Sequence, residues 1–63
     1  MIRVMHVTFN ANSVREAGKT IEFRGYAHFA RQDGFLIFEY PGGEVEAHNM
    51  NTVDSYMYSE EDE

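Results

Sequence analysis

Asp33-Gly34 lies between two apolar runs, and this pair constrains the fold more than any other stretch. Two-residue hairpin loops of the type I′ class favour Asp-Gly, because both loop residues need positive φ. A loop of that length fixes register. Gln32 then opposes Phe35, Arg31 opposes Leu36, Ala30 opposes Ile37, Phe29 opposes Phe38, His28 opposes Glu39 and Ala27 opposes Tyr40. A slip of one residue would send every side chain to the other face.

The rest of the chain alternates with the same period of two. Residues 3–9 (RVMHVTF) place Met5, Val7 and Phe9 on one face. Residues 19–31 place Ile21, Phe23, Ala27 and Phe29 on one face, with Gly25 read as a bulge. Residues 35–40 form an aliphatic strand. Pro41-Gly42-Gly43 turns the chain, read as a two-residue loop that points Val45 and Ala47 inward and Glu44, Glu46 and His48 outward. Asn49–Thr52 reads as a turn, residues 53–58 as a last strand, and residues 59–63 (SEEDE) as a solvated, flexible acidic tail. Ser13 and Glu16 have capping-box spacing and Gly18 suits a helix end, so a short helical insertion is expected near residues 13–18. The expected fold is mainly β: a five-strand antiparallel meander, either a strongly curved sheet or a small SH3-like barrel, in one domain over residues 1–58. An open sheet dimerising through an edge is the alternative.

The segment DGFLIFEYPGGEVEAHNMNTVDSY resembles small uncharacterised all-β proteins of Gram-positive bacteria and their phages. The shared features are the D-G hairpin, the aliphatic strand, the G-E-V strand and an N-x-x-V-x-S-Y ending. The resemblance covers the C-terminal half and implies an all-β fold. It supplies no function and no site residue.

Size limits what this fold can do. A chain of 63 residues buries only about 60% of the surface its unfolded form exposes. It contains no cysteine, so neither a disulfide nor a cysteine zinc site is available. Five Phe, four Tyr and four Met supply a core instead. No apolar run reaches the roughly 20 residues of a membrane span. The start lacks a signal peptide's apolar stretch. A soluble, cytoplasmic protein is expected.

Charge divides the chain. Residues 1–31 carry five basic and two acidic groups, a net +3; residues 32–63 carry nine acidic groups and no basic one, a net −9. Such a field repels nucleic acid and anionic membrane, and attracts basic surfaces.

Catalytic and metal readings are weak in comparison. His6, His28 and His48 fall on three separate strands, too far apart to cluster on one zinc. Glu39 faces Glu44 or Glu46 across the turn, but paired carboxylates need a cleft to act as acid and base. No nucleophile-elbow or phosphate-loop motif surrounds Ser13, Ser55 or Ser59. Tyr26 and Phe35 could stack bases beside Arg24 and Arg31, yet a net charge of −6 opposes phosphate binding. No enzyme activity, cofactor, metal or direct nucleic-acid binding is expected.

A binding role is favoured. Tyr26, Phe35 and Ile37 are read as apolar anchors on one outer face, rimmed by acidic groups. Glu22, Glu39, Glu44, Glu46, Asp54, Glu60, Glu61 and Asp62 are the acidic contact residues. The partner expected is a protein with a basic surface, one that handles nucleic acid. Rows of carboxylates can imitate phosphates, so the leading expectation is a phage-type inhibitor acting as a DNA mimic, in the manner of anti-CRISPR or anti-restriction proteins. The alternative is a protein–protein interaction module or homodimer that does not compete with nucleic acid.

Overall fold

Period-two alternation becomes six strands among the described residues, 1–62 of this computed structural model. They are β1 (Ile2–Phe9), β2 (Thr20–Arg24), β3 (His28–Gln32), β4 (Phe35–Glu39), β5 (Val45–Asn49) and β6 (Val53–Glu61). A single 3-10 turn, Met50–Thr52, precedes β6, within the stretch read as a turn.

The strands form two three-stranded antiparallel sheets, β2-β1-β6 and β3-β4-β5, and no closed barrel. This replaces the single meander in two ways. The run 19–31 is two strands, broken at Gly25 (φ 73°), where the chain leaves the first sheet for the second. The last strand returns to pair with the first, from Ile2↔Glu61 to Phe9↔Val53. Ser59, Glu60 and Glu61 are therefore strand residues, not a tail beginning at residue 59; Glu63 lies outside the described residues.

The expected helix near residues 13–18 is a series of turns. Its cap does form, with the Glu16 N–H donating to Ser13 Oγ at 3.1 Å. The segment is then pulled into non-helical geometry by Gly18, whose N–H donates to the Phe9 carbonyl. Six residues cannot sustain a helix against such competition.

The Asp33-Gly34 hairpin has the expected register, from His28↔Glu39 to Gln32↔Phe35, with φ of 53° and 80° at the two loop residues. Ala27 lies outside the ladder and is exposed, not inward; its N–H donates to the Glu39 carbonyl.

The core lies between the sheets. Phe38 of β4 stacks on Phe23 of β2 with ring centroids 4.7 Å apart. Met5, Val7, Phe9, Leu36 and Val53 complete it. Tyr26, read as an outer-face anchor, is only 5% exposed. The break at Gly25 takes Tyr26 and Ala27 out of the strands and turns the Tyr26 ring inward against Phe38, at 5.2 Å; the expected alternation resumes at His28, with Phe29 inward.

Candidate interaction surface

The outer face of the second sheet follows from the two hairpins. Cross-strand partners Ala30, Ile37 and Ala47 form a transverse apolar row. On one side of it lie Gln32, Phe35 and Asn49; on the other lie His28, Glu39 and Val45. Phe35 is 41% and Val45 60% exposed. This face of a small sheet thus mixes an apolar row and two exposed apolar side chains with four polar ones, where an antiparallel sheet ordinarily turns polar side chains outward.

Val45 and Ala47 belong to this face, not to the core, because the Pro41-Gly42-Gly43 loop has three residues. The Tyr40 N–H donates to the Glu44 carbonyl, the Gly43 N–H to the Tyr40 carbonyl, and Gly43 takes a φ of 87°. Three-residue hairpin loops require such a left-handed last residue, and glycine adopts it without penalty. The extra loop residue reverses the parity of β5. Glu39 consequently faces Val45, not Glu44 or Glu46. His48 turns toward the core, edge-on to Phe9 (5.6 Å) and Phe23 (5.0 Å). Glu46 turns with it, beside Tyr40.

That neighbourhood perturbs Tyr40. Burial first, and then the Glu46 carboxylate, pushes its phenol up to about 12. An unfolded tyrosine loses its proton near pH 10, about two units earlier. The unfolded state therefore binds fewer protons than the folded state across that window, and stability falls as pH rises from about 10 to 12. Tyr40→Phe is expected to flatten this fall in alkaline denaturation curves. Loss of stability undiminished in the variant would place its cause elsewhere.

The acidic groups do not share one surface. Glu22 and Glu61 lie on the outer face of the first sheet, both hydrogen-bonded to Arg24. The Arg24 guanidinium holds the Glu61 carboxyl below its ordinary range. Arg24 is on β2 and Glu61 on β6, so their ion pair spans β1. It lies over Val4, an outer-face residue that is nevertheless 0% exposed. Glu60 points to the opposite face and accepts the Tyr58 hydroxyl. Asp54 is the extra residue of a bulge opposite Thr8 and Phe9. Glu44 sits at the hairpin end, and Asp62 follows β6. Of the predicted acidic set, only Glu39 lies on the apolar face, alongside Phe35 and Ile37.

One constellation was not legible in the sequence. His6 Nε2 lies 3.0 Å from Ser59 Oγ, and His6 Nδ1 lies 3.6 Å from Glu22 Oε1. Nucleophile, base and carboxylate stand in triad order. Their side chains project from neighbouring strands of one sheet face, and Glu22 is shared with Arg24. The arrangement pins the β2, β1 and β6 strands together. It could not be anticipated because it depends on β6 returning to β1.

Among the described residues no group of three or more His, Asp or Glu could hold a metal ion. No helix there is long and apolar enough to cross a membrane. Comparison with protein-family models, with curated proteins and with solved structures finds no match to this chain.

Proposed function

We propose that this protein is a binding module, not an enzyme, and that it engages a second protein through the outer face of the β3-β4-β5 sheet. The observation that carries the reading is the apolar row Ala30–Ile37–Ala47, flanked by exposed Phe35 and Val45. The partner is a protein with an apolar patch bordered by Lys or Arg. Charge selects it: Glu39 lies on the face, and the two hairpins bring Asp33 and Glu44 to its ends, within a half of the chain that carries −9. Apolar contact supplies affinity and the acidic rim supplies steering.

A buried, desolvated anchor at the centre of an interface contributes 2 kcal/mol or more, about thirtyfold in Kd. Ile37→Asp, a change outside the core between the sheets, is expected to weaken partner binding by at least about thirtyfold, measured by titration calorimetry on a partner captured with tagged protein. Raising salt from about 150 to 500 mM is expected to weaken it less than tenfold, because only the rim is screened. Unchanged binding by the Asp variant would overturn the assignment of this face. Sedimentation equilibrium of the protein alone tests the other occupant, a second copy. Copies of net charge −6 repel, so self-association would strengthen with salt.

Competition with nucleic acid, as a DNA-mimicking inhibitor of a nucleic-acid-handling protein, is the second reading. It is favoured by the absence of Lys and Arg from residues 32–63 and by the exposure of Glu39, Glu44 and Asp54. It predicts that Glu39, Glu44 and Glu46 changed together to Gln abolish binding while Ile37→Asp leaves it intact.

A further inference from the structure

A second cavity lies where the start of β1, the chain between β2 and β3, the first residues of β3 and the later part of β6 meet. A cleft of about 340 Å³ is lined there by Arg3, Met5, Tyr26, His28, Phe29 and Tyr58. That volume falls at the lower end of the range for small-ligand sites. Tyr26 is 95% buried (5% exposed), yet its hydroxyl has no hydrogen-bond partner. A buried hydroxyl without a partner carries a desolvation cost that a ligand acceptor can remove.

The other polar group is Arg3. Its guanidinium donates to the Ala27 carbonyl, and among the described residues no carboxylate forms an ion pair with it. A guanidinium has five N–H donors in a planar fork suited to carboxylates. The nearest acidic neighbour along the ladder, Glu60 opposite Arg3, is instead bonded to the Tyr58 hydroxyl. His28 is exposed and lines the same cleft. The remaining walls, Met5, Phe29 and the Tyr58 ring, are apolar and aromatic. The cleft thus combines an unpartnered hydroxyl and a guanidinium bonded only to a carbonyl with a soft apolar lining, in a protein otherwise dominated by carboxylates.

We propose that this cleft binds an apolar or aromatic carboxylate: the acid group accepts from Arg3 and the Tyr26 hydroxyl, and the apolar body lies on Met5, Phe29 and Tyr58. Two sources present that chemistry, a free aromatic acid and the C-terminal residue of a peptide chain. The cleft shares His28 with the edge of the β3-β4-β5 face, but Arg3, Tyr26 and Phe29 lie off that face, so the proposal does not depend on what that face binds.

The test is a titration followed by ¹H–¹⁵N chemical shifts, with N-acetylphenylalanine, its C-terminal amide, and a five-residue peptide ending in phenylalanine with a free carboxyl. Ligand efficiency for a molecule of this size sets an expected Kd of about 1 mM for the acid. Shifts should centre on Arg3, Tyr26, Phe29 and Tyr58. The amide should bind about tenfold more weakly, as should the acid to Arg3→Gln or to Tyr26→Phe. The Tyr26→Phe variant removes only the unpartnered hydroxyl, so its melting temperature should not fall, and lost binding cannot be put down to unfolding. Ile37→Asp should leave this Kd unchanged. Tighter binding of the peptide than of the single residue assigns the site to chain ends; equal binding assigns it to free acids. Equal affinity for acid and amide, shifts centred elsewhere, or unaltered binding by Tyr26→Phe would overturn the proposal.

Discussion

Phe38→Ala is expected to leave the chain unfolded, or nearly so, at room temperature. Phe38 is 0% exposed and is the largest side chain buried to that degree. It stacks on Phe23 at 4.7 Å and meets Tyr26 at 5.2 Å and Phe29 at 5.7 Å. Those rings come from β2, β3 and the chain between them, so one side chain ties the first sheet to the second. Truncating a buried Phe to Ala costs about 3–5 kcal/mol. At about 0.05–0.15 kcal/mol per residue, a chain of this length has roughly 3–9 kcal/mol in total. The loss therefore removes from about a third to all of what is available. Urea denaturation followed by circular dichroism measures it, with Phe38→Leu as the milder control at about 1–2 kcal/mol. A cooperative alanine variant with a midpoint close to that of the parent would show that the core is not centred on this ring.

Deleting Gly43 is expected to cost about 1–3 kcal/mol, more than removing one exposed loop residue ordinarily does. The deletion leaves Pro41-Gly42 as a two-residue loop between Tyr40 and Glu44, so the pairing of Glu39 with Val45 and the contacts of His48 with Phe9 and Phe23 are kept. The loop itself cannot take a favoured form: two-residue hairpin loops need a positive φ at their first residue, and the proline ring holds φ at about −65°. The far end of β5 cannot slide to relieve the loop, because the Met50 N–H is held by the Gly34 carbonyl at 2.9 Å. Gly43→Ala keeps the loop length and is expected to cost about 1–2 kcal/mol, for a left-handed alanine at φ 87°. Urea denaturation measures both, and a deletion variant as stable as the parent would show that the third loop residue is dispensable.

These two residues mark where local sequence suffices and where it stops. Asp33-Gly34 specifies loop length, so the β3–β4 pairing could be read residue by residue. Pro41-Gly42-Gly43 permits two loop lengths, and the longer one reverses everything after it. Gly25 signals an irregularity, but the alternation around it gives no sign that the chain changes sheets there, and periodicity alone puts Tyr26 outside. The Ser13–Glu16 cap was legible as a hydrogen bond and misleading as a helix. Residues 59–61 resemble a solvated tail by composition; what orders them is β1, at the other end of the chain. Of the face proposed for interaction, Phe35 and Ile37 are visible through the first hairpin. Val45 and Ala47 were hidden by the second. The acidic residues were visible as a sum of charge, but their division between faces depends on pairings that no local motif encodes.

The return of the last strand to the first also governs the order in which the molecule can be made. The second sheet closes through tight hairpins, so β3, β4 and β5 can assemble as soon as they leave the ribosome. The first sheet pairs residues as far apart in sequence as Ile2 and Glu61. Such closure is slow to reach, and it must wait for synthesis of β6. Until then the earliest-made strand, with Val4, Met5, Val7 and Phe9, has only β2 beside it. Newly made chains therefore pass through a stage in which the most apolar strand of the first sheet offers an open edge to other chains.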